Sequence, residues 1–175
     1  MTTLLHRMLR AALLDVNLYE EVEADRRATG QAAAAVVLSS VAAGVGGLTQ
    51  HGAWPIAWYT LAALASWWIW AYVAYWIGTR LLPGPTTRAD SGELLRTIGF
   101  SSAPGVLRIL AIFHPIAMVA FVASTIWMLV AMVIAVRQAL DYAGTARALV
   151  VCAIGFPIYA STLAVAMLLL GPWPL

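Results

Sequence analysis

Few residues of this chain could do chemistry, and Arg108 is the first of them. It is the one ionisable side chain well inside an apolar run, Ile98–Phe113. A charge at a bilayer centre costs about 2.5–3.5 kcal/mol on insertion scales, so its presence asks for a reason. Arg108 stands only about 7–8 Å along a helix from Phe113. From there a guanidinium can snorkel outward, bind carbonyls freed by Pro104, or contact a lipid phosphate or another anion. His114, before Pro115, would need a carboxylate or a second imidazole beside it to relay protons or hold a metal. The outer side of the expected bundle offers only His51, in a different loop, and no acid, so His114 reads as a turn residue. Cys152 is the single thiol. It can form neither an internal disulfide nor a cysteine zinc site, and reads as a small core residue.

The motifs that are missing are equally informative. The chain has no HExxH, GxSxG, P-loop or GxGxxG. Its apolar runs hold no Asp, Glu or Lys to act as acid, base or proton carrier. Ser124, Thr125, Ser161 and Thr162 are read as bonding back to their own helices. The expectation is a non-enzymatic protein with no catalytic residue, no cofactor and no metal.

Charge gathers instead before the first apolar run. Glu20, Glu21, Glu23 and Asp25 precede Arg26 and Arg27. Glu23 and Arg27 have i,i+4 spacing and would pair on a helix. The cluster is either a solvated helix end or a docking patch, formed by Glu20, Glu21, Glu23, Arg26 and Arg27, for a membrane or cytoplasmic protein partner. Upstream, Leu4, Leu5, Met8, Leu9, Ala12, Leu13 and Val16 form a helical stripe with Arg7 and Arg10 off it. That pattern suits a helix lying on an anionic leaflet.

The surrounding elements follow from composition. The chain has 175 residues, 62% apolar and 10% charged, with mean hydropathy +0.85. A soluble domain is about 45–50% apolar and about 25% charged, so the lipid bilayer is the solvent for most of this chain. The net charge of +2 rests on arginine alone and forms no basic stripe, which excludes a nucleic-acid binder. The lack of lysine hints at GC-rich bacterial DNA. No cleavable signal peptide is expected, because Ala11–Leu14 is too short for an h-region and Asp15 and the glutamates interrupt it.

Four apolar runs, 31–48, 54–77, 116–136 and 148–170, would each reach roughly 27–36 Å as helices, enough to cross a core of about 30 Å. A fifth, 94–113, carries Arg96, Pro104 and Arg108, and is either a span or a re-entrant hairpin. Arginine placement favours a span. With five spans, every arginine except Arg108 falls on the side of the N-terminus; with four, Arg137 and Arg147 cross over. The expected fold is therefore an all-α polytopic integral membrane protein with five transmembrane helices and a cytoplasmic N-terminus, in a bacterial inner membrane. Residues 1–30 form the N-terminal segment and 31–175 the transmembrane domain.

Local signals mark the boundaries. Leu82-Pro83-Gly84-Pro85 stops the second helix. Asp90 and Glu93 have capping-box spacing, and Thr145 can cap the last helix. Trp54, Trp58, Tyr59, Tyr72, Tyr75 and Trp76 read as interfacial aromatics, while Trp67, Trp68 and Trp70 lie mid-span and want partners for their indoles. Ser40 with Gly44, and Ala43 with Gly47, give small-xxx-small spacing. The first span is therefore expected at the centre of the bundle, with homo-oligomerisation through it open. Pro104 and Pro157 are expected to kink their helices.

Two stretches carry a family resemblance. One is Glu93-Leu94-Leu95-Arg96-Thr97-Ile98-Gly99-Phe100-Ser101-Ser102-Ala103-Pro104-Gly105. The other runs from Ile126-Trp127 through Ala135-Val136-Arg137 to Leu140. In order and spacing, Arg96, Gly99, Phe100, Pro104, Trp127, Ala135 and Arg137 resemble the pattern of bacterial members of the Yip domain family. The resemblance implies five membrane helices, a cytoplasmic N-terminus and an exoplasmic C-terminus. Eukaryotic relatives are implicated in vesicle trafficking, Rab binding and membrane shaping. Their Asp-Leu-Tyr-Gly-Pro element is not matched, since Leu18-Tyr19 lacks the Gly-Pro, and Rab binding is not carried over. The expected role is membrane organisation or adaptor binding. The alternative is a small permease or flippase subunit using Arg108 near an anionic substrate or lipid headgroup.

Overall fold

The computed structural model describes residues 3–46 and 54–170, and every regular element in them is helical. The expected loop 49–53 with His51, Gly47 of the second small-xxx-small pair, and the tail 171–175 lie outside the described residues. The side chains of Trp54, Trp58, Tyr59 and Thr162 do too.

The N-terminal stripe forms two helices. Helix α1 (Leu4–Ala12) starts where the Thr3 hydroxyl accepts from the His6 amide, and α2 (Val16–Ala24) where the Asp15 carboxylate accepts from the Asn17 amide. Between them Leu14 adopts φ 60°, a left-handed turn that ends the first helix. Val16 is thus on a different helix from Leu4–Leu13. Met8 and Ala11 face inward, while Leu5, Leu9 and Leu13 are 69%, 64% and 78% exposed. Helix α2 ends at Ala24, and a short 3₁₀ turn over Arg26–Ala28 leads onward. Glu23 and Arg27 therefore do not share a helix, and their expected i,i+4 pair does not form.

Helix α3 (Thr29–Gly46) is followed by α4 (Trp54–Trp76), which widens into a π turn at Ile77–Leu81. Helix α5 (Ser91–Ser101) begins with the expected capping box: Asp90 accepts from the Glu93 amide, and Glu93 accepts from the Asp90 amide. It does not simply kink at Pro104. It gives way to a 3₁₀ segment over Ala103–Ile112, because proline has no N–H for the α pattern. The Ser101 and Ser102 hydroxyls add bonds to the Ile98 and Gly99 carbonyls at the change-over. A 3₁₀ helix rises about 2.0 Å per residue, so the two pieces together reach about 36 Å, a full bilayer crossing. Helix α6 (Ala117–Ala139) and α7 (Thr145–Leu170) complete the chain, with Thr145 as the first residue of α7 and Pro157 inside it.

Among the described residues, four stretches are long and apolar enough to cross a membrane: Arg26–Val45, Thr60–Leu81, Ser91–Ile112 and His114–Ala139. Helix α7, at 26 residues, is about 39 Å long. The third stretch, rather than the first, is the most enclosed. Helix α3 packs on it through small residues: a Cβ on Gly99 would lie 2.7 Å from the Ala32 Cβ. The core sits at the end of the bundle carrying α2 and the α6–α7 turn, around Leu18, Tyr19, Val22, Leu94, Phe100 and Val136. Toward the other end Met118, Val119 and Phe121 are exposed, as lipid-facing side chains are.

Candidate functional site

The N-terminal hairpin is held by charge. Arg7 is buried and donates to Glu21 through Nε and Nη2 (3.1 and 2.9 Å), to Asp25 (2.9 Å) and to Gln31 (3.0 Å). Arg10 joins Asp15 (2.7 Å) and the other Glu21 oxygen (2.6 Å). The hydrogen bond from Arg10 holds the Asp15 carboxyl below its usual range, and that from Arg7 does the same for Asp25. Glu21 is thus turned inward as the hub of this network. Glu20 accepts from Gln138 on α6 (2.9 Å), Glu23 is half-buried, and Arg26 and Arg27 are exposed.

The motif residues surround the same hairpin. Arg96, itself buried, donates Nε to the Val22 and Glu23 carbonyls (2.9 and 3.0 Å) and Nη2 to Glu23 as well. A cation on the last carbonyls of α2 satisfies orphan acceptors and complements the helix dipole. Phe100 is fully enclosed and Gly99 admits α3. Trp127 donates its indole N–H to the Ala12 carbonyl (2.7 Å), and Arg137 bonds the Tyr142 carbonyl (3.4 Å). Tyr142 in turn donates its hydroxyl to the Gly78 and Leu82 carbonyls at the π turn, tying the α6–α7 turn to the end of α4. Motif spacing gave no sign of this role for Tyr142.

Between these parts lies an acidic cleft of about 410 Å³, lined by Glu20, Glu23, Glu93 and Asp141 together with Arg137 and Gln138. Three separate segments supply its carboxylates. Burial, then repulsion from Glu93, Asp141 and Glu20, pushes the Glu23 carboxyl up to about 7. The sequence reading placed Glu20 and Glu23 in one patch but missed Glu93 and Asp141, which only folding brings to them. Among the described residues, no cluster of three or more His, Cys, Asp or Glu side chains could hold a metal.

At the opposite end Arg108 meets α6. Its Nε and Nη2 donate to the Ser124 and Thr125 hydroxyls (3.3 and 3.0 Å), and its guanidinium lies 4.7 Å from the Phe121 ring centroid. Both hydroxyls also bond back to the Phe121 carbonyl, as their types led us to expect. Of the mid-span tryptophans, Trp67 bonds the Leu95 carbonyl (2.9 Å), Trp70 is buried and Trp68 is exposed.

A family model, the Yip1 domain, matches residues 19–167. No curated protein and no solved structure matches the chain.

Proposed function

The chain belongs to the Yip1 domain family, and from that premise we propose that it is a non-enzymatic membrane adaptor whose acidic cleft takes a basic segment of a partner protein. The orientation that goes with this reading has five spans in a bacterial inner membrane, with the cleft in the cytoplasm. The arginine distribution supports it. Reporter fusions after Pro83 and Tyr142 are then cytoplasmic, and a fusion after Pro115 is periplasmic.

The cleft is the observation that carries the adaptor reading. Its carboxylates come from α2, the start of α5 and the α6–α7 turn, so a bound segment would contact parts already fixed by Arg96 and Tyr142. Fixed charges steer association and select partners of opposite sign. The test is in-cell crosslinking of the tagged full chain, with mass spectrometry of what co-purifies. Glu20→Gln with Asp141→Asn removes two cleft charges. Asparagine tolerates the left-handed backbone at 141, where φ is 51°. Loss of a stoichiometric partner from the variant, with membrane insertion unchanged, supports the reading; undiminished capture sinks it.

A further inference from the structure

We propose that the cavity beside Arg108 is a binding site for the phosphate headgroup of an anionic phospholipid. The proposal depends on the membrane architecture but not on the acidic cleft, which lies at the other end of the bundle.

The cavity measures about 660 Å³ and is bounded by α3, α4, the 3₁₀ segment, α6 and Phe156 of α7. That is the size of an ordinary ligand cleft. Its walls are mainly apolar, and Phe121, Leu129 and Phe156 on its edge are also lipid-facing, so it is continuous with the hydrocarbon region.

Arg108 and Ser39 have unfilled capacity in it. Arg108 makes no ion pair among the described residues: its hydroxyl and ring contacts are all to neutral groups, and Nη1 makes no hydrogen bond there. Guanidinium has five donors in a planar fork suited to phosphate. Ser39 is 4% exposed and lines the cavity, and its hydroxyl has no hydrogen-bond partner among the described residues.

The 3₁₀ geometry brings the two together. Residues three apart eclipse on a 3₁₀ helix, so Arg108 stands directly over Gly105, about 6 Å along the axis. Gly105 has no side chain, and the Ser39 hydroxyl occupies its bare face: a Cβ there would come 2.0 Å from the Ser39 Oγ. A cation and a free donor thus face one space. Three further serines of the wall act differently. Ser40, Ser101 and Ser102 line the cavity and commit their protons to main-chain carbonyls, which leaves their oxygens as acceptors. The site therefore favours a phosphate that carries hydrogen-bond donors, as phosphatidylglycerol does.

The test uses native mass spectrometry of the delipidated full chain, titrated with phosphatidylglycerol, phosphatidylcholine or inorganic phosphate. Wild type is expected to prefer phosphatidylglycerol over phosphatidylcholine by about tenfold or more, the scale of one charge-assisted contact. Arg108→Gln should abolish the preference, and Ser39→Ala should weaken it several-fold with unchanged thermal unfolding. Equal retention of both lipids by wild type overturns the proposal, as does a preference that survives in both variants. Displacement of the lipid by millimolar inorganic phosphate would reassign the site to a soluble anion and also overturn it.

Discussion

The indole N–H of Trp127 donates to the main-chain carbonyl of Ala12 at 2.7 Å. Trp127 lies near the middle of α6, roughly 18 Å along the axis from its Ala139 end. The last turn of α1 is therefore sunk well down the side of a membrane-spanning helix, with one of its orphan carbonyls satisfied there.

Removing that donor should free α1. In Trp127→Phe the amides of residues 4–12 are expected to exchange about fivefold faster, which corresponds to one hydrogen bond of about 1 kcal/mol. Trp68→Phe, at an exposed ring, should leave them unchanged. Equal protection in both variants would mean that the bond does not hold the helix.

The outward leucines give a prediction about depth. Leu5, Leu9 and Leu13 repeat every four residues and share one face. Nitroxides placed on them should be relaxed strongly by oxygen and weakly by aqueous nickel, as in a leaflet. A label at Asn17, which is exposed on α2, should show the reverse. A nickel-accessible label at Leu9 would place the helix in water.

Arg96 should resist conservative replacement. Its planar fork spans the Val22 and Glu23 carbonyls, which a lysine ammonium cannot reproduce. Arg96→Lys is expected to cost about 1.5–3 kcal/mol, measured by unfolding in detergent, and Arg96→Gln at least as much. A loss under 0.5 kcal/mol for both would refute the clamp.

Two glycines should respond with opposite signs. Gly99→Ala places a Cβ 2.7 Å from the Ala32 Cβ and 3.1 Å from its carbonyl oxygen, and should destabilise by about 1–3 kcal/mol. Gly30, also helical, has nothing within 4 Å of an added Cβ, and Gly30→Ala should gain about 0.5–1 kcal/mol. The same unfolding assay reads both.

Glu23 sets a pH dependence. Its folded pKa of about 7 lies above the ordinary 4.5, so between these values the folded state binds more protons and stability falls as pH rises. Glu23→Gln should remove that decline. The depressed Asp15 and Asp25 act oppositely: their stabilisation is present above the usual aspartate pKa and is lost as pH falls through their lower folded values. A melting profile of Glu23→Gln that matches wild type from pH 5 to about 8 would contradict the burial of this carboxyl.

The sequence by itself determined the solvent and the helices. Its apolar runs need lipid whatever their arrangement, and helices alone satisfy their backbone there. The Asp90–Glu93 capping box was equally legible, because it depends only on residues three apart. The Arg96, Gly99, Phe100 and Pro104 stretch was legible as a pattern, though not as a clamp on α2, whose carbonyls lie more than seventy residues away in the chain. The tertiary structure alone decided what long-range packing decides. Glu21 was drawn inward by Arg7, while Glu93 and Asp141 joined Glu20 and Glu23 across three segments. Proline changed the helix type after Ser102, and that change set Arg108 over the bare face of Gly105. Local propensity acts within a turn or two. Pairing of charges and shaping of cavities depend on which helices the bundle brings side by side, and no spacing along the chain records that.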